Sequence, residues 1–305
     1  MHISNDKGRR DILWGIGIAA ILLLAAILYY LNPAVRLEDA YTTNVKKKEI
    51  LSQMRINLLK SVEMEKNAVM SLTDEESQAF ADQSLYASAA VEQNLKQLNS
   101  LIDAVPMQDE RNLVTEFSNC WTEIGKLDQV ILAQAVQNTN LKAASLSREE
   151  GAEAMQRFEH ALNNVTTSSS GPPKEDRVSR AISRAIIAGL KIYNFHSFHI
   201  AEASDEIMDQ IETQMKTEEN LASKSLAELA GMVNEKSRPA LLQAKTAFSE
   251  FMELTAKVIK LSRENSNVKS LELSLGKKRK VTAQCDEILG ALQEILQNRT
   301  SQATK

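Results

Sequence analysis

Apolar residues recur along this chain in two distinct ways. From Ile12 to Leu31 they run on unbroken as ILWGIGIAAILLLAAILYYL, with no charge inside. Beyond Asn32-Pro33 they return every three or four residues between polar ones. The first pattern predicts a bilayer-crossing helix, since a helix rises about 1.5 Å per residue and the hydrocarbon core is about 30 Å thick. The second predicts amphipathic helices that each bury one stripe.

Eight such helices follow the span. The first, over 37–72, carries Leu51, Leu58, Val62, Val69 and Leu72. Thr73-Asp74-Glu75-Glu76 can cap the second, because a Thr or Asp oxygen accepts from the free N–H groups of a first turn. Its stripe is Phe80, Ala87, Val91, Leu98 and Val105, and it must stop at Pro106. Leu113, Phe117, Cys120, Ile124, Leu127 and Ile131 form a coiled-coil-like seam on the third. That seam weakens at Gln137-Asn138-Thr139-Asn140. Ser147-Arg148-Glu149-Glu150 has the spacing of a capping box and opens a fourth helix with Met155, Phe158, Leu162 and Val165.

Thr166 to Pro173 reads as a linker, rich in Ser, Thr, Gly and Pro. The pattern then repeats. Ile182, Ile186, Tyr193 and Ile200 mark a fifth helix, and Ser204-Asp205-Glu206 caps a sixth. Pro239 starts a seventh, and the eighth follows Gly276 with Val281, Cys285, Ile288, Leu292 and Ile295. A shift of 131 residues places Leu59-Lys60 on Leu190-Lys191 and Thr73-Asp74-Glu75 on Ser204-Asp205-Glu206. After a four-residue gap, Asn138-Thr139-Asn140 falls on Asn265-Ser266-Asn267, and Ser147 on Ser274. The spacing keeps both the caps and the Asn-x-Asn breaks, which points to internal duplication.

The expected fold is therefore all-α: an N-terminal transmembrane helix followed by two tandem antiparallel four-helix bundles. The boundaries expected are a short cytoplasmic tail 1–11, the span 12–31, a first bundle 36–166, a linker 167–176, a second bundle 177–297 and a polar tail 298–305. A cleaved signal peptide would have an apolar core of only about 7–15 residues. Trp14 at one end of the span and Tyr29 and Tyr30 at the other suit the two interfaces. Lys7, Arg9 and Arg10 lie closer to the span than Lys46, Lys47 and Lys48, although Arg36 follows it closely. The positive-inside rule thus puts the N-terminus in the cytoplasm and the body outside, periplasmic if the source is a Gram-negative bacterium and otherwise extracellular.

Composition narrows the function. With 10 Gly, 5 Pro and 5% aromatic residues among 305, the chain suits long helices better than a compact α/β enzyme. A net charge of −4 does not suggest nucleic-acid binding. There is no glycine-rich phosphate loop, nucleophile elbow or His-Glu-x-x-His, so the reading is not an enzyme, with no cofactor expected. Cys120 and Cys285 fall on apolar stripes of different copies and read as buried free thiols. Lys277-Lys278-Arg279-Lys280 reads as a solvated face.

Three residues stand out as ligand-binding candidates. Glu65 and His196 are equivalent under the 131-residue shift and both fall on an apolar stripe, where a polar group fixes register or lines a cavity. Arg55 lies near the seam of the first helix. His196 and His199, three apart with Glu202 beyond, are weak metal candidates, since a bundle metal site needs matching Glu and His residues on other helices.

Leu58-Leu59, Glu65-Lys66-Asn67 and Leu72-Thr73-Asp74-Glu75-Glu76 resemble the first hairpin of the four-helix-bundle sensor domains of bacterial methyl-accepting chemotaxis receptors. Phe117 to Trp121 and the Asn138-Thr139-Asn140 break resemble that family's third helix and its exit. The resemblance covers 50–165, with a similar but weaker copy over 177–297. The doubling is similar to helical bimodular sensor domains, which have two long and four short helices where eight are counted here. The resemblance implies a ligand bound between helices and a non-enzymatic shift in their packing. It also implies that Arg55 could take a small anion, since the family binds anions partly through first-helix arginines. A complete receptor returns through the membrane to a HAMP segment and a signalling rod, and neither is seen in this sequence. The expectation is thus a sensor module that contacts lipid through 12–31 and signals as a homodimer or through a membrane partner, with room for a small-molecule ligand and no nucleic acid. The competing expectation is a structural helical scaffold or spacer of the bacterial envelope.

Overall fold

The computed structural model describes residues 6–31, 33–165 and 172–303. Among these the chain is helical throughout, with no strand. Eleven α-helices are described: α1 (Asp6–Leu31), α2 (Pro33–Met70), α3 (Asp74–Ala104), α4 (Gln108–Ala135), α5 (Thr139–Leu146), α6 (Ala152–Asn163), α7 (Pro172–Ala201), α8 (Asp205–Ala230), α9 (Arg238–Glu264), α10 (Ser266–Leu273) and α11 (Arg279–Ala303). Two π turns, Ser147–Gly151 and Ser274–Lys278, join α5 to α6 and α10 to α11 without a break.

Local chemistry sets several of these bounds. The Thr73 hydroxyl accepts from the Glu76 N–H at 3.2 Å to open α3, and the Ser204 side chain caps α8 through the Ile207 N–H. α3 ends at Ala104, two residues before Pro106, and Pro239 sits in the first turn of α9, where its missing N–H costs nothing. Two sequence expectations change. The capping box at Ser147 makes no side-chain cap, and Gly276 lies inside a π turn. Helix is not interrupted at either place because the apolar stripe continues on both sides. The breaks fall instead at Asn138 (φ 50°) and Asn265 (φ 55°), in the left-handed region that Asn tolerates better than most side chains.

The chain divides into two units, each discontinuous in sequence. Unit 1 takes Met1–Ser61, Leu85–Glu123 and Val281–Lys305. In it a Cys120–Cys285 disulfide joins α4 to α11, Arg55 grips Asp286 to tie α2 to α11, and Lys47 binds Glu110 to tie α2 to α4. Leu51, Met54, Leu58, Val91, Leu98, Phe117, Leu289 and Leu292 are buried there. Unit 2 takes Val62–Ser84 and Ile124–Lys280. Its apolar core draws Met155, Phe158 and Leu162 from α6, Ala181, Ala185 and Ile192 from α7, Met215, Leu226 and Leu229 from α8, and Leu241, Phe248 and Phe251 from α9. A Cβ on Gly189 would come within 2.9 Å of the Met155 sulfur, so α7 meets α6 closely there.

This grouping differs from contiguous bundles at 36–166 and 177–297. α6, expected in the first, packs with α7 and α9; α11, expected in the second, packs with α2 and α4. The two copies present similar stripes, and nothing local decides which partner each stripe meets. The 298–305 tail also changes, because α11 runs on to Ala303. The linker residues 167–171 lie outside the described residues, and Pro172 already opens α7.

α1 carries the apolar run. Ile16, Ile18, Ile21, Leu22, Leu23 and Leu24 are exposed on it, while the side chains of 6–13, 15, 17 and 29–31 lie outside the description. Among the described residues no helix is long and apolar enough to cross a membrane.

Candidate functional site

The breaks at Asn138 and Asn265 leave two new helix starts, those of α5 and α10, each with N–H groups lacking an intrahelical partner. Neither start has a side-chain cap of its own. Each is capped by the other. The Thr139 N–H donates to Ser266 Oγ and the Ser266 N–H to Thr139 Oγ1, both at 3.0 Å. The Asn140 N–H donates to Asn267 Oδ1 at 3.1 Å, and the Asn267 N–H to Asn140 Oδ1 at 3.2 Å. The amides close the ring: Asn140 Nδ2 reaches Asn265 Oδ1 at 2.7 Å and Asn267 Nδ2 reaches Asn138 Oδ1 at 2.9 Å. Asn138 Nδ2 donates to Asp74, and Asn265 Nδ2 to the Glu202 carbonyl. Lys142 and Lys269 repeat the symmetry on the carbonyls of Gln137 and Glu264. Hydrogen bonds from Lys142 and Asn138 hold the Asp74 carboxyl below its usual range.

Beyond this clasp each long helix passes a buried polar seam at its π turn. In the seam of α7, His196 Nδ1 meets Ser147 Oγ at 2.9 Å and Nε2 meets Thr255 Oγ1 at 3.1 Å. Thr255 spends its own proton on the Phe251 carbonyl, so it accepts from Nε2–H, and Nδ1 accepts from Ser147. The neutral ring is thus fully bonded. Burial, with the neighbouring His199, pushes the His196 pKa down to about 4. His199 differs. Ser262 donates to the His199 carbonyl and so accepts from Nδ1, while Nε2 faces Glu212 Oε1 at 2.9 Å. Both ring nitrogens thus meet oxygen atoms. Burial works to raise the Glu212 carboxyl, but hydrogen bonds from Arg263 and His199 outweigh it and hold that group low.

The equivalent seam in the first copy is ionic. Lys278, from the second π turn, donates to Glu65 Oε2 at 2.9 Å and to Asp128 Oδ1. Lys278 is buried, which corrects its reading as part of a solvated basic face. Its aliphatic stem carries the ammonium inward where two carboxylates repay its desolvation.

The three ligand candidates are all engaged internally. Arg55 forms a two-pronged pair with Asp286, at 2.6 and 2.8 Å, in unit 1. Glu65 holds Lys278, and His196 holds Ser147 and Thr255, in unit 2. The ring nitrogens of His196 and His199 face hydroxyls and one carboxylate, and among the described residues no group of three His, Cys, Asp or Glu is placed to hold a metal. Sequence reading missed Asp128 and Lys278. Asp128 could have been found as a charge one position beyond Leu127 on the Ile124-to-Ile131 stripe. It also missed the disulfide, because Cys120 and Cys285 were assigned to separate bundles.

Compared with known proteins, the chain matches no family model, no curated protein and no solved structure.

Proposed function

We propose that this chain is a single-pass, membrane-anchored sensory module whose all-helical body lies outside the cytoplasm. The observation that carries the reading is the clasp. Two kinked helices whose starts cap each other form one element, which a ligand or partner biases by binding one arrangement better than another. The disulfide supports the compartment, since structural disulfides persist in oxidising environments and are rare in the cytosol. The exposed apolar side chains of α1 and the uncharged run from Ile12 to Leu31 support the anchor. The mechanism is non-enzymatic, and output runs through a second copy or a membrane signalling partner.

A scaffold reading, a helical spacer of the bacterial envelope, is favoured by one observation: Arg55, Glu65 and His196 are all satisfied within the chain. A thermal-shift screen of the full chain in detergent separates the two. A sensor is stabilised by one class of small molecule. No stabilisation by any compound, together with co-purification of a structural envelope assembly, sinks the sensory reading.

A further inference from the structure

Glu65, Asp128 and Lys278 come from α2, α4 and the second π turn, and their side chains are 0%, 6% and 1% exposed. Two carboxylates share one ammonium. If both were ionised, one negative charge would stay uncompensated in a buried place, a state normally relieved by taking up a proton. Glu65 Oε1 and Ser274 Oγ are buried and make no hydrogen bond. In the other copy the equivalent pair, His196 and Ser147, is bonded at 2.9 Å. In the first copy the equivalent carboxylate and hydroxyl are not bonded to each other.

We propose that Glu65, Asp128 and Lys278 form a one-proton binding site that locks the Ser274–Lys278 π turn, the proton residing on the carboxylate pair. A proton there neutralises the cluster and leaves Lys278 a single full counter-charge. Among the described residues of unit 2, the other buried titratable side chains are His196 and His199, in the second-copy seam. Near this level α2 buries Ala68 and Val69, α3 buries Ser77, Ala81 and Ser84, α4 buries Ile124, Leu127 and Ile131, and the π turn buries Ser274. Burial pushes the Asp128 carboxyl up and the Glu65 charge adds to this, with Lys278 opposing but not cancelling it. A carboxyl raised in the folded state supports folding at low pH and loses that contribution as pH rises through its folded value.

The test uses the full chain in detergent, with thermal midpoints followed from pH 5 to 8.5. Asp128→Asn, which mimics the protonated acid, is expected to flatten the midpoint's fall with rising pH and to match or exceed wild type at pH 8. Lys278→Met is expected to lose most at high pH and to recover in acid. A protonated-carboxyl stretch in the infrared spectrum of the wild type at neutral pH, lost in Glu65→Gln or Asp128→Asn, reads the same proton and needs no stable Lys278 variant. An Asp128→Asn midpoint lowered equally at every pH, or no such infrared band in wild type, overturns the proposal.

Discussion

At the scale of single residues, the seams respond to protons in opposite senses. His196 is held neutral in the fold, with a pKa near 4 against an ordinary value of 6.5. The unfolded chain therefore binds the proton first, and stability present above pH 6.5 is lost as pH falls toward 4, by up to about 3 kcal/mol. His196→Gln should remove that part of the acid sensitivity, so its midpoint deficit at pH 7.5 should narrow or reverse at pH 5. A constant deficit would contradict the account. In unit 1, Glu110 is buried against Lys47 at 2.7 Å and also receives Arg299. Glu110→Ala leaves the buried Lys47 ammonium unpaired and should cost about 3–5 kcal/mol in denaturant unfolding. Lys47→Met should cost less, because Arg299 still pairs with the carboxylate.

At the scale of elements, the clasp makes a coupling prediction. Helix caps are worth about 0.5–2 kcal/mol each. Asn140→Ala and Asn267→Ala each remove a cap from the opposite helix, so the double variant should cost less than the sum of the singles, by about 0.5–3 kcal/mol. Strict additivity in a denaturation cycle would mean that the two starts are independent. Much of the element order was legible: the stripes, the caps at Thr73 and Ser204, the stop at Pro106 and the Asn-x-Asn breaks. Ser147 and Gly276 misled because capping and breaking signals are local preferences, which a stripe buried on both sides overrides. That Asn140 caps the other helix was not legible, since reciprocal capping requires two breaks to meet in space.

At the scale of the whole molecule, the exchange of α6 and α11 between sequence halves is what brings Cys285 to Cys120. Two near-equal stripes give no local reason to choose either grouping, so neither the exchange nor the disulfide across 165 residues could be read from the chain alone. Cys120→Ser should lower unfolding stability by about 2–5 kcal/mol, measured on the full chain without reductant. The central claim, an anchored sensory body outside the cytoplasm, is tested most directly in cells that express the full chain. Acid-quenched cells are alkylated under denaturing conditions and their membrane fraction is run without reductant. The account predicts that the protein stays with the membranes and that Cys120 and Cys285 take no alkylating label until the sample is reduced. Membrane-free protein with both thiols labelled at once would contradict it.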